Sequence, residues 1–362
     1  MISLICAFFS SFIATLLIIR FEHLHSHFSA DADLSGPQKF HKSAVPRIGG
    51  VSIALGILIA ILLKIQVQSN SSIEVTLLLC AIPVFAIGLT EDLTKKISVR
   101  MRLLFTAISA LLAINTLTVL ITKLDIPGVD YLLSFSPIAI TFTVFAVTGL
   151  SNAYNIIDGF NGLSSMVGII TLMALGYLSF VLVDPLMISL SFMMAAAILG
   201  FFIWNYPRGL IFLGDGGAYL IGFWIAIISI MLVARHSNVS PWFALLVNGY
   251  PILETLFTIY RRKIHQGKSP GQPDGIHFHS LIYRRVLNSG KAGIKEDDWF
   301  TANARTSPYL WVLTSLAIIP AILWWQSTPI LIGFFILYIF SYIWLYKRIV
   351  SFRTPGWMHP IM

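Results

Sequence analysis

The chain is poor in charge. Only 11% of its 362 residues are Asp, Glu, Lys or Arg, while 57% are hydrophobic and mean hydropathy is +0.82. A soluble domain of this length does not carry so apolar a composition. Cysteine is nearly absent. Cys6 and Cys80 both fall inside apolar runs and read as small hydrophobic residues, which excludes a disulfide framework or a cysteine-ligated metal. No internal repeat, low-complexity tract or second domain is visible, so residues 1–362 read as one domain. No basic stretch precedes the first apolar run and no small-residue cleavage site follows it, the pattern of an uncleaved anchor. Without a soluble basic domain, the formal charge of +8 gives no support for a nucleic-acid partner.

What the chain has is apolar runs long enough to cross a bilayer, at ~20 residues each. Eleven are expected, at roughly 2–20, 49–67, 73–90, 103–122, 136–154, 162–183, 187–204, 215–234, 241–260, 309–326 and 329–346. The fold class is therefore all-α and polytopic, with the lipid bilayer as solvent. If the loop after the first span is cytoplasmic, all of the 24 Lys and Arg except Lys64, Lys123 and Arg235 lie inside. That bias places the N-terminus in the periplasm and the C-terminus in the cytoplasm. The longest stretch between spans, about 261–308, is rich in Gly, Pro, His and Arg and reads as a cytoplasmic loop.

The acidic and amide residues that form motifs gather at span ends on that inner side, while Glu74, Asp125, Asp130 and Asp184 lie outside with no motif among them. Carboxylates at a membrane face are costly unless they find partners or do chemistry. In the first inner loop, Lys39, His41 and Arg47 precede Gly49-Gly50; they read as phosphate-binding cations or as a positive-inside anchor with a small-residue helix contact. His23, His25 and His27 read as interfacial polar residues. Glu91-Asp92 end span three, followed by Lys95, Lys96, Arg100 and Arg102. Adjacent carboxylates repel unless a cation is near. An intrahelical ion pair with Lys95, a divalent metal and a phosphate-binding basic cluster are the readings.

Asn152, Asn155 and Asp158 are spaced by three and form one polar row on a helix, broken by Gly159 and Gly162. Amide oxygens and a carboxylate suit a hard cation or sugar hydroxyls. Asn205 precedes the loop to Gly214-Asp215-Gly216-Gly217. Asp215 either caps span eight or holds Mg²⁺ against a diphosphate at the helix start. Glu254 lies inside span nine. An intramembrane Glu is a functional candidate by default. His277 and His279, two apart, do not share a helical face and read as extended or loop; diphosphate binding with Arg284 and Arg285 fits them better than zinc.

In order and spacing, these motifs from about Pro37 to Arg285 resemble one family. It is the polyprenyl-phosphate N-acetylhexosaminyl-1-phosphate transferases, of glycosyltransferase family 4. The resemblance implies transfer of a sugar-1-phosphate from a UDP-amino sugar to undecaprenyl phosphate, with release of UMP. It implies a cytoplasmic-face site in a bacterial inner membrane, Mg²⁺ as cofactor with Mn²⁺ as its substitute, and initiation of a surface polysaccharide such as O-antigen. A homodimer is left open. Carried over by motif, Glu91, Asp92 and Asp158 would be catalytic, and Asp215 with Asp92 would bind the metal. His41, Arg47, Lys95, Arg102, Asn152, Asn155, Asn205, Glu254, His277 and His279 would bind substrate. Three positions depart from the family pattern: Glu91 for the usual Asp, Ser280 for a frequent His, and Glu254 for an Asp. The rival reading is a transporter or lipid flippase, whose polar groups sit near the midplane of repeated, broken helices.

Overall fold

The computed structural model describes residues 1–29, 45–67, 72–267, 274–287, 296–355 and 358. It contains fifteen α-helices among them. In chain order these are α1 (Ile2–Arg20), α2 (Glu22–Ser29), α3 (Gly49–Val67), α4 (Ser72–Thr94), α5 (Val99–Leu117), α6 (Val129–Leu133), α7 (Ser136–Ile156) and α8 (Leu163–Val181). Then come α9 (Pro185–Asn205), α10 (Gly214–Arg235), α11 (Pro241–Val247), α12 (Gly249–Tyr260), α13 (Phe278–Ile282), α14 (Glu296–Leu323) and α15 (Thr328–Val350). Ten are long and apolar enough to cross a membrane, and α11 with the helix that follows makes an eleventh if counted as one span.

Two expectations need correction. Span nine is not straight: it bends by 75° at Asn248, where Gly249 and Pro251 weaken helical continuity. The loop expected at 261–308 is shorter, because α14 already begins at Glu296. The stretch between α12 and α14 carries π-helical turns at Arg261–His265 and Tyr283–Leu287 and the short α13.

Helix α10 is the axis of the bundle. Its most apolar window is 83% buried, against 17% for α1 and for α15. It packs on α3, α4, α7 and α8, while α1 and α15 face outward. Glycines set how close these helices come. A Cβ at Gly88 would lie 2.6 Å from the Gly216 Cα, and one at Gly50 would lie 2.3 Å from the Gly217 nitrogen. Backbones of α3, α4 and α10 therefore touch at one end of the bundle.

The opposite end is stapled by ion pairs. Lys64 meets Glu74, and Asp184 caps α9 while taking Arg235 Nε at 2.6 Å and His236 Nε2 at 3.0 Å. Burial pushes Asp184 up, but the Arg235, Met187 N–H and His236 bonds outweigh it and hold the carboxyl below its usual range. A lowered carboxyl stabilises the fold above its unfolded pKa and loses that stability as pH falls through the folded one. Asp184→Ala should thus cost about 2 kcal/mol at neutral pH, read as a fall in Tm, with no change in substrate KM.

Candidate active site

The other end of the same bundle holds the carboxylates. Asp92, 1% exposed near the end of α4, reaches across to the first turn of α10. Its Oδ1 accepts the Asp215 N–H at 2.8 Å and its Oδ2 the Gly216 N–H at 2.9 Å. Helix N-termini leave such N–H groups without intrahelical partners. The cap of α10 is therefore supplied by another helix, and Asp215 is released from the capping role that its position suggests. Asp92 turns to α10 and to Arg47, 3.6 Å away, so the intrahelical pairing reading for it is displaced.

Asp215 sits in that first turn with two arginines on its carboxylate. Arg47 Nη2 donates to Oδ1 at 3.1 Å, and Arg102 Nη1 donates to Oδ2. Arg47 is placed by a short extended segment: Phe212 N–H donates to Pro46 O, and Gly49 and Gly50 N–H donate to Phe212 O and Leu213 O. Gly214 closes this corner at φ +75°, and a Cβ there would lie 2.0 Å from Arg47 O. Only glycine fits both the turn and the contact.

Asp158 lies in the turn after α7, near enough to feel Arg47 and Asp215. Its N–H donates to Asn155 O at 3.2 Å, while its carboxylate makes no hydrogen bond with another described residue. The residue is half-buried, yet loss of water around its carboxyl pushes it up to about 7; Arg47 pulls it back and Asp215 pushes it further. The turn itself is gripped by α14. Asn161 N–H donates to Asn303 Oδ1 at 3.0 Å, Ser307 Oγ donates to Asn161 O at 2.6 Å, and Trp311 Nε1 to Gly162 O at 3.2 Å.

The remaining expected residues divide into those facing the cluster and those holding its walls. Glu91 Oε2 accepts the Ile97 N–H at 2.7 Å, tying the loop after α4. Lys95 is exposed at the left-handed position that ends α4. Asn152 Oδ1 accepts from Tyr219 Oη at 2.9 Å, and Asn155 is half-buried. Asn205 is a clasp: its Oδ1 accepts Gly162 N–H at 2.6 Å and its Nδ2 donates to Ile211 O at 2.7 Å. His41 and Lys39 lie outside the described residues.

A second polar group adjoins the first. His277 is extended, as expected, at the N-cap position of α13, while His279 lies within the helix, which corrects the expectation for that residue; their rings stack at 5.2 Å. A Cβ on Gly159 would lie 2.8 Å from His279 Nε2, which puts this ring against the Asp158 turn. Burial and the neighbouring His277 drive His279 down to about 3, so it stays neutral at physiological pH. Glu254 Oε1 accepts from His277 Nδ1 at 2.9 Å and from the Phe278 N–H at 3.2 Å. Asp274 pairs with Arg261 and lies 3.8 Å from Arg262 Nη1. Burial raises Asp274, but the Arg261 bond and the charges of His277 and Arg261 bring it below its usual range. His279 Nδ1 and Arg261 Nε and Nη1 are buried with no partner among the described residues. Buried donors without partners are uncommon and call for an explanation.

Sequence reasoning did not single out Tyr219, Asn161, Asn303 or Asp274 as individual site residues. Asn303 lay inside the expected loop, where no periodicity marks it. Asp274 was visible only as part of the histidine segment.

A bundle of membrane-length helices that gathers three carboxylates and two arginines defines a polytopic membrane protein with a charged cluster at one end of its spans. The sequence model described as Glycosyl transferase family 4 matches residues 75–233. The undecaprenyl-phosphate alpha-N-acetylglucosaminyl 1-phosphate transferase of Thermotoga maritima is 30% identical over 254 residues, which are 70% of this chain and 73% of that protein. Proteins of the same name from Yersinia pestis and Escherichia coli K12 are each 28% identical, over 70% and 78% of this chain and 70% and 77% of theirs. The chain belongs to glycosyl transferase family 4, and it is a membrane phosphoglycosyltransferase.

Proposed function

We propose that this protein transfers N-acetylhexosamine 1-phosphate from a UDP-sugar to undecaprenyl phosphate, with release of UMP and dependence on Mg²⁺. The observation that carries this is the meeting of Asp92, Asp158, Asp215, Arg47 and Arg102 at one end of the spans. The relatives' names supply the acceptor and the sugar. The cation bias supports a cytoplasmic-face site in a bacterial inner membrane: Lys64 and Arg235, paired at the opposite end, are among the three exceptions to it.

The donor set fits a hard cation. Among the described residues no three His, Cys, Asp or Glu side chains converge as a closed metal site. Mg²⁺ does not ask for one: it commonly takes one or two carboxylates and completes its shell with water and phosphate oxygens. Asp215 and Asp92 are the carboxylates that would hold it. When bound, the ion neutralises charge on the diphosphate and on the leaving UMP. The chain's own residues do the rest. Arg47 and Arg102, now on Asp215, would receive phosphate oxygens. Neutral His279, set against the Asp158 turn, would offer a hydrogen bond to the donor substrate there. The acceptor phosphate has a second pKa of ~6 and needs little help to become a nucleophile. Asp158 is anionic above about 7 and neutral below it, a range suited to taking the last proton.

The sign of the pH dependence follows. Turnover should climb from pH 6 to pH 8 and lose most of that slope in Asp158→Asn. UMP release measured across this range checks it. The function itself is tested with membranes supplied with UDP-GlcNAc, undecaprenyl phosphate and Mg²⁺. UMP release that requires all three supports the reading, and its absence overturns it.

A further inference from the structure

We infer that α15 is the strut that sets the position of the histidine segment, and that Tyr342 is its main positioning residue. This rests on the reading in which that segment holds the donor substrate. Helix α15 lies outside both the matched family region and the motif-bearing stretch, and its window is only 17% buried. Yet Tyr338, Tyr342 and Tyr346 are 5%, 1% and 7% exposed, an unusual depth for a peripheral helix. They are spaced by four and therefore share one face.

That face grips the site from behind. Tyr342 Oη donates to Glu254 Oε2 at 2.7 Å, and the other Glu254 oxygen holds His277 Nδ1 and the Phe278 N–H. Glu254 is thus a three-way junction between α12, α13 and α15. One turn on, Tyr346 Oη donates to Ile276 O at 3.1 Å, immediately before His277. Beyond α13, Arg285 Nη1 donates to the Ile349 carbonyl at 3.2 Å and lies 4.2 Å over the Phe352 ring. Both flanks of α13 and the carboxylate beneath it are tied to α15.

The tie matters because α12 cannot fix the segment alone. The span bends by 75° at Asn248, so α12 enters the inner leaflet without a straight helix behind it. A phenol bonded to a buried carboxylate is a strong, directional link, since hydrogen bonds to charged groups exceed neutral ones. Moving Glu254 moves His277, and through the stacked rings it moves His279, which abuts Gly159 beside Asp158.

Tyr342→Phe is the test, because it keeps the ring that packs against Phe257 and Phe278 and removes only the hydroxyl. The KM for UDP-GlcNAc should rise about tenfold, with the KM for undecaprenyl phosphate unchanged and kcat altered less than about threefold. A second readout needs no turnover: acylation by diethyl pyrocarbonate, mapped by mass spectrometry. His277 and His279 should label faster in the variant, and His236 at the far end should not. Unchanged labelling overturns the inference even if the wild type releases no UMP, a result that would instead sink the proposed function. An equal rise in both KM values with a lowered Tm would mark Tyr342 as merely structural and also overturn it. If Tyr342→Phe does not accumulate, Tyr346→Phe removes the adjacent rung and is read in the same way.

Discussion

Asp215→Ala should reduce UMP release by about a thousandfold while the protein still inserts and folds. The argument is electrostatic. Two arginines converge on this one carboxylate, and Asp92 is already committed to backbone N–H groups. Asp215 is therefore the acid with most freedom to trade a guanidinium for a metal-bound diphosphate. Removing a preorganised electrostatic group from a water-poor site typically costs a factor of about 10² to 10³ in rate. Here the loss also leaves Arg47 and Arg102 without the charge that holds them together, which misplaces both.

Stability should suffer less. Arg47 and Arg102 keep 26% and 15% side-chain exposure, so each can recover water when its partner is gone. Asp215→Asn separates charge from volume: it preserves the shape and should fall nearly as far as Ala. Rates are read as UMP release per milligram of folded protein, and folding as Tm in detergent. An Asn variant with near wild-type turnover would remove Asp215 from the reaction.

The spans were legible because they depend on long apolar runs, which a sequence displays directly. The break at Asn248 was not, since Gly249 and Pro251 within an apolar run allow a straight helix as readily as a bend until packing decides. Motif spacing brought Asp92, Asp158 and Asp215 to one face correctly. It could not say which acid caps and which reacts. An Asp at a helix start reads as its cap, and only the contact of α4 with α10 shows the cap coming from Asp92. The clasp made by Asn205 was equally hidden, because it depends on the approach of two loops far apart in sequence. The ladder on α15 carried a weak signal, three tyrosines spaced by four, on a helix with no other polar motif.

Asp92→Asn should behave differently from Asp215→Asn, losing both stability and turnover. Asp92 spends one oxygen on the Asp215 N–H and the other on the Gly216 N–H, at 1% exposure. Asn offers one acceptor and presents its own N–H₂ to the second donor, so one backbone N–H is left facing another donor. A buried donor without a partner costs about 1–3 kcal/mol, and repulsion adds to it. Ala orphans both donors and should cost about 2–4 kcal/mol. Glu carries the right charge but an extra methylene, and the backbone contact between Gly88 and Gly216 leaves no room for α4 to retreat. All three substitutions should therefore lower Tm, with Ala and Asn well below wild type. Because the cap fixes the first turn of α10, each should also shift Asp215 and depress UMP release. The contrast is the measurement that matters: Asp215 variants lose rate at nearly constant Tm, and Asp92 variants lose both together. An Asp92→Asn protein with unchanged Tm and abolished turnover would mean that Asp92 acts only through the metal it would hold, with the cap as a secondary contact.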